Sequence, residues 1–181
     1  MQQTKTAPVV SRAKAYLKVR QKAARDAMKE LKLDGLLLTH SPDLAYLTNF
    51  TGDDSIGLIT DKELYLVTDF RYKEQAELEA GWLRTSIREG KMAEPLAKVL
   101  VDAKVKRVGF EANFTTFGQV HAVDKALKEL KDKEPKDAGP GSIELVPLED
   151  VLVNLRKVKD DHEIDLIRTC VYHCLWPRSR L

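Results

Sequence analysis

Apolar residues fall at Ala13, Tyr16, Leu17, Ala23, Ala24, Ala27, Met28 and Leu31, with charged residues between them. This is the stripe of an amphipathic helix over Ser11 to Leu31, with Ser11 as N-cap and Asp34-Gly35 as the closing turn. The pattern then switches. Leu36-Leu37-Leu38-Thr39 is a continuous apolar run, as in a strand buried on both faces. Ser41-Pro42-Asp43 predicts a short new helix, with serine as cap, proline in the first turn and aspartate facing the helix dipole.

The stretch from Tyr46 to Tyr72, YLTNFTGDDSIGLITDKELYLVTDFRY, organises the rest. After the polar loop Thr51 to Ser55 come two strand-like runs, Ile56 to Thr60 and Leu64 to Thr68, separated by Asp61-Lys62-Glu63. That spacing reads as a hairpin at the centre of a sheet. Asp69-Phe70-Arg71-Tyr72 leads out of it into a helix from Arg71 to Ala80, stopped by Gly81. Beyond lie a strand (Leu83 to Arg88), a helix (Met92 to Ala103), a strand (Arg107 to Glu111) and a helix (Thr116 to Lys131). A loop (Glu134 to Gly141), a strand (Ile143 to Val146) and a short helix (Glu149 to Leu155) complete the alternation. It predicts an α/β domain with a mixed, roughly six-stranded sheet, the hairpin inside it and helices on both faces.

After Leu155 the character changes. Arg156-Lys157-Val158-Lys159 is a basic step, and Asp160 with Glu163 has the form of a capping box. Ile164, Leu166 and Ile167 begin a helix that has little room before Pro177. The organisation expected is a flexible tail over 1–10, the α/β domain over 11–155, a linker over 156–168 and an atypical tail over 169–181.

Bulk composition narrows the function classes. At 181 residues, 43% hydrophobic and 32% charged, the chain can bury the core of one folded domain. Net charge is +2 with both signs interspersed, so the basic stripe of a nucleic-acid partner is missing. MQQTKTAPVV lacks a signal peptide's apolar centre, and no run approaches the ~20 apolar residues of a membrane span. The expected address is the cytoplasm, with no membrane partner. Cys170 and Cys174, both near the end, cannot staple the fold with a disulfide framework.

His40, His121, His162 and His173 are scattered and stand in no H-E-x-x-H frame. Cys170, His173 and Cys174 could share a helix face and suit zinc, but they read as an accidental cluster near the chain's end; C-x-x-H-C is also the wrong order for haem attachment. There is no G-x-S-x-G elbow, no histidine placed to serve Ser55, and no glycine-rich phosphate loop. Asp69 and Glu111 end strands, where α/β proteins place chemistry. With Asp53 or Asp54 they could hold a divalent ion for work on nucleic acid. The stronger reading is structural: Asp69 caps the following helix and Glu111 pairs with a nearby base.

Four motifs occur in a fixed order: DGLLLTHSPDLAYLTNFTG, LITDKELYLVTDFRYKEQAE, VGFEAN and LVPLEDVLVNLRKVKDDHEIDLIR. Together they make the chain, from about Ala15 to Arg168, similar to the N-terminal domain of the creatinase/prolidase/aminopeptidase P family. The resemblance implies a mixed sheet with helices on both faces and no catalytic residue or metal ligand in this part. Cleavage next to proline would reside in a C-terminal pita-bread domain, where Asp, His and Glu ligands hold two divalent ions, usually manganese, cobalt or zinc. The chain departs from the family pattern at Thr169, where that domain would begin.

The function so implied is a non-catalytic domain of an Xaa-Pro peptidase that oligomerises and restricts access to the metallopeptidase site. Its partners would be a second subunit, the catalytic domain and, in the parent, short proline-containing peptides. Within this resemblance Asn49, Phe50, Asp53, Asp54 and Ser55 form the loop expected to approach a neighbouring pocket, with Phe50 as an apolar wall and Asp53 or Asp54 reaching a substrate amine. Tyr46, Asp69, Arg71, Tyr72, Glu111, Arg156 and Glu163 are expected to be structural, Arg71 beside Asp69 and Tyr72 over the sheet edge. The alternatives are a protein- or peptide-binding module, as in a histone-chaperone relative without working chemistry, and the carboxylate-metal enzyme on nucleic acid.

Overall fold

The computed structural model describes residues 14–133 and 142–175. Ser11, the expected cap of the first helix, and the loop from Glu134 to Gly141 lie outside the described residues. In chain order the elements are α1 (Ala15–Glu30), β1 (Gly35–Leu38), α2 (Ser41–Thr48), β2 (Ile56–Thr60) and β3 (Leu64–Asp69). A single 3₁₀ turn, Phe70–Tyr72, leads into α3 (Lys73–Ala80), then β4 (Arg84–Arg88), α4 (Ala93–Asp102) and β5 (Arg107–Glu111). The chain closes with α5 (Phe117–Lys133), β6 (Glu144–Leu148), α6 (Val151–Lys157) and α7 (Asp161–Leu175).

The six strands form one mixed sheet in the order β4-β3-β2-β1-β5-β6. β2 pairs antiparallel with both β1 and β3, and the remaining pairs are parallel. The predicted hairpin is therefore β2–β3, inside the sheet. Two crossovers set the layers. From β3 to β4 the chain steps towards one edge, and from β5 to β6 towards the other. Right-handed connections then send α3 and α5 to opposite faces.

Alternation along the strands builds a core on each face. Leu36, Leu38, Ile59, Leu64 and Leu66 pack with Ala24 and Met28 of α1, Leu44 and Leu47 of α2, Ala76 and Ala80 of α3, and Leu152 of α6. Leu37, Leu58, Val67, Val108 and Phe110 pack with Leu96, Val99 and Leu100 of α4 and Val123 of α5. Fully burying such a side chain contributes about 1.5–3 kcal/mol.

Two expectations about helix ends need correction. Ser41 is the first residue of α2, and its cap position is His40, whose carbonyl accepts from the Asp43 and Leu44 amides at 2.9 and 3.1 Å. The last helix, α7, runs for 15 residues and passes Arg168 without a break. The capping box gives it a well-anchored first turn, and its residues from Asp165 to Cys174 are exposed.

Candidate functional site

Because only β2 runs against the others, the C-terminal ends of β1, β3, β4, β5 and β6 meet at one edge of the sheet. The loop from Asn49 to Ser55, which feeds β2, arrives at that same edge. This is the side of an α/β sheet where binding sites form.

At one end of that edge, Asp69 closes β3 and Arg88 closes β4, opposite each other in register. Asp69 accepts from the Arg71 amide at 2.8 Å, which caps the 3₁₀ turn, and from Arg71 Nε at 2.9 Å. The Arg71 Nη2 reaches Asp69 again and Asp54 Oδ2 at 3.1 Å. Arg88 Nη2 donates to Asp54 and lies 3.5 Å from Asp69 Oδ2, while its Nη1 donates to the Gly90 carbonyl at 2.6 Å. Two carboxylates and two guanidinium groups thus form one lattice. The Arg71 side chain above all holds the Asp69 carboxyl below its ordinary range.

That lattice ties down the loop. Asp54 itself takes the left-handed region, φ 50°. Asn49 does likewise at φ 65°, closing α2, and its side-chain amide donates to the Tyr16 hydroxyl at 2.7 Å. Thr51 bonds Glu79 through its amide at 2.8 Å and its hydroxyl at 2.9 Å. Ser55 Oγ lies 2.8 Å from the Asp53 carbonyl and 2.7 Å from the Thr68 hydroxyl. Asp53 is exposed. A cleft of about 450 Å³ opens beside the loop, with Tyr16, Asn49, Thr51, Glu79 and Trp82 among its walls.

Phe50 does not face outward as expected of a pocket wall. It is 0% exposed in this chain's own core, with Tyr72 edge-on at 6.4 Å. The reason is local: Gly52 folds the loop back over the ring, so closely that a Cβ there would sit 2.3 Å from Phe50 Cζ. Tyr72 is accordingly part of the loop's floor.

Further along the edge the chemistry differs. Glu111 closes β5, is 1% exposed, and accepts the Leu152 amide on Oε1 at 2.7 Å. Among the described residues it pairs with no base, which corrects the sequence expectation; its partner is the first turn of α6. Its Oε2 has no hydrogen-bond partner among the described residues. Burial pushes this carboxyl up, with Asp43 and Asp150 acting the same way and the Leu152 and Asp150 amides opposing. The buried Asp43 is the residue that takes the base: Arg156 Nη1 lies 2.8 Å from its Oδ1, and His40 Nδ1 lies 3.3 Å from its Oδ2.

The exit of the chain is clamped by Arg20. Its guanidinium lies between the Tyr16 and Tyr46 rings, 4.7 and 4.5 Å from their centroids. Nε donates to Asp160 Oδ2 at 2.7 Å, Nη1 donates to the Tyr46 carbonyl at 3.2 Å, and Nη2 is 3.5 Å from Glu163 Oε2. Asp160 and Glu163 cap α7 reciprocally: the Glu163 amide donates to Asp160 Oδ1 at 2.9 Å, and the Asp160 amide donates to Glu163 Oε2 at 3.2 Å. The Arg20 hydrogen bond holds the Asp160 carboxyl below its usual range.

The structure brings Asp54 and Asp69 together but places Glu111 three strands away from Asp69, about 14 Å by strand spacing. Among the described residues no group of three or more His, Cys, Asp or Glu is arranged to hold a metal. The carboxylates at this edge do not fit a two-ion centre, because arginines and backbone amides already engage them. Arg20 and Arg88 are not singled out by the sequence, and Asp43 is legible there only as a helix-start aspartate, not as the partner of Arg156. Arg20 lies on the buried stripe of α1 with Leu17, Gln21 and Ala24, where the apolar pattern alone gives a charged side chain no place. Arg88 had one legible signal, its place at the end of a strand parallel to the one Asp69 ends.

What these features define is an α/β domain whose edge polar groups brace its own loops and exit helix. The chain belongs to the creatinase/prolidase N-terminal domain family, whose model matches residues 20–158. An uncharacterised peptidase, YqhT, of Bacillus subtilis (strain 168) is 27% identical over 143 residues, which are 79% of this chain and 37% of that protein. The fold matches an Xaa-Pro dipeptidase from Bacillus anthracis with a TM-score of 0.71 and 27% identity, covering 84% of this chain and 39% of that one. The N-terminal domain of the cytoplasmic peptidase PepQ from Mycobacterium tuberculosis H37Rv matches with a TM-score of 0.65 and 26% identity, over 76% of this chain and 98% of that one. The chain therefore spans less than two fifths of the first two relatives' length.

Proposed function

We propose that this chain serves as a non-catalytic domain of an Xaa-Pro peptidase of aminopeptidase P or prolidase type, acting in oligomerisation and in restricting substrate access. The peptidase site, with its two divalent ions, would be supplied by sequence outside the matched domain. The observation that carries this reading is how the edge carboxylates are used. Asp54 and Asp69 neutralise Arg71 and Arg88, Asp43 neutralises Arg156, and Glu111 caps α6. None of them is left to activate a metal-bound water. The same bracing supports a gating role for the loop, since it presents the exposed Asp53 on a frame fixed at Asn49, Thr51, Asp54 and Ser55.

The test is a peptidase assay on the purified chain with manganese or cobalt, run beside a light-scattering measurement of its mass. No turnover of Xaa-Pro peptides and a mass of two or more protomers is the expected outcome. Turnover that follows the chain through size exclusion would overturn the non-catalytic reading. A strictly monomeric chain at high concentration would remove the oligomerisation role.

A further inference from the structure

Glu111 is a buried acid that the fold leaves half satisfied. It sits at the end of a strand next to β1, at 1% exposure, with Oε1 bonded to the Leu152 amide and Oε2 unanswered among the described residues. The titratable and charged groups around it come from each packed element. From α2 and its cap position come Asp43 and His40, 3.3 Å apart. From the turn before α6 comes Asp150, whose Oδ1 accepts from Asn113 at 3.3 Å. From α6 itself comes Arg156, and its Nη1 is bound to Asp43 at 2.8 Å. Glu111 therefore faces two carboxylates, and the cation of this neighbourhood is committed elsewhere.

We propose that Glu111 is a proton-operated latch on α6: neutral, it fastens the helix to the sheet; ionised, it loosens the helix and with it the exit into α7. A neutral carboxyl keeps Oε1 as acceptor for the Leu152 amide while removing a charge from a buried position beside the buried Asp43. Ionisation leaves a buried charge with one oxygen unanswered, which is costly in such a place. The amides at the start of α6 favour the ionised form. Burial and the two neighbouring carboxylates outweigh them.

Loosening would spread along the segment. α6 carries Leu152 into the core, Arg156 to Asp43, and the Leu155 carbonyl to the Tyr46 hydroxyl at 3.5 Å. Asp160, the cap of α7 and partner of Arg20, follows Lys157 after two residues. The sign follows from linkage. An acid held above its ordinary value of about 4.3 stabilises the fold fully below that value, and the contribution is lost as pH rises through the folded one.

The test is amide hydrogen exchange read by NMR on the whole chain, from about pH 4.5 to about pH 8.5, with β1 amides as internal reference for those of α6. The expected result is that α6 protection relative to β1 falls about tenfold or more with rising pH in the wild type and stays within about twofold in Glu111→Gln, whose amide oxygen still accepts the Leu152 bond. His40→Gln should fall as the wild type does, because the imidazole is not the operator. A flat wild-type ratio, a fall in Glu111→Gln as steep as the wild type's, or its disappearance in His40→Gln would each overturn the latch. Carbon-13 titration of the Glu111 carboxyl in the unmutated chain decides independently of any variant's folding: a midpoint at or below that of an ordinary glutamate ends the idea.

Discussion

Asp69 and Glu111 look alike in sequence, since each is the last residue of a strand and each precedes a turn into a helix. The fold treats them in opposite ways. Asp69 lies near the β4 edge among two guanidinium groups and caps the turn with an arginine's amide, so its charge is favoured. Glu111 lies next to β1, buried, with an amide for one oxygen and carboxylates for neighbours, and the nearby Arg156 is bound to Asp43, so its charge is disfavoured. The difference teaches that position at the end of a strand names a candidate, while the groups placed beside it decide its chemistry: Arg71 above all for Asp69, burial and two carboxylates for Glu111. Arg88 opposes Asp69 in the parallel register; Leu148 opposes Glu111.

The largest effect is expected on the buried side. Asp43 is 1% exposed and holds Arg156. Removing one partner of such a pair leaves an uncompensated charge, so Asp43→Ala should cost about 3 kcal/mol in urea unfolding. A double-mutant cycle with Arg156→Met separates the pair from the packing. Coupling under about 0.5 kcal/mol would show that the pair does not hold α6.

How much of this was legible in sequence divides along the same line. The elements were, because period-2 and period-3.6 patterns report burial directly, and even the Asp160–Glu163 box was read from its spacing. Local devices such as the Asp69 cap were legible for the same reason: donor and acceptor are two residues apart. The burial of Phe50 is not legible, because an aromatic residue in a polar loop gives no sign of which way Gly52 will turn it. For Glu111 a base is the general expectation for a buried acid; its partner, the Leu152 amide, is 41 residues away. Arg20 pairs across 140 residues, a separation no local pattern encodes.

At the β4 end of the sheet, where Asp54 opens the cluster to solvent, a smaller loss is expected. Arg88→Met keeps most of the side chain's apolar length but removes a guanidinium that bridges Asp54, Asp69 and the Gly90 carbonyl. Arg71 remains to hold both carboxylates, so the cost should be about 1 kcal/mol, shrinking in high salt. The sharper readout is local. Amide exchange at Asp54 to Ile56 should quicken while α6 is unchanged. Equal loosening of both regions would mean that the two ends of the edge act as one unit.

The smallest effect at neutral pH, and the most discriminating, concerns Asp69→Asn. The amide can still accept from the Arg71 backbone, so near pH 7 Asp69→Asn loses only the charge-dependent part of the contact, a small cost that vanishes in acid. The acid limb should change. Because Arg71 depresses the Asp69 carboxyl in the folded chain, its contribution is full above about pH 4 and is lost as pH falls through the lower folded value. Asp69→Asn should therefore flatten the decline of stability below about pH 4, whereas Glu111→Gln should flatten a decline on the opposite, rising-pH side. Urea midpoints measured across both limbs read the two together. If Asp69→Asn leaves the acid limb as steep as in the wild type, the Arg71–Asp69 contact is a surface pair without consequence, and the contrast between the two strand ends reduces to Glu111 alone.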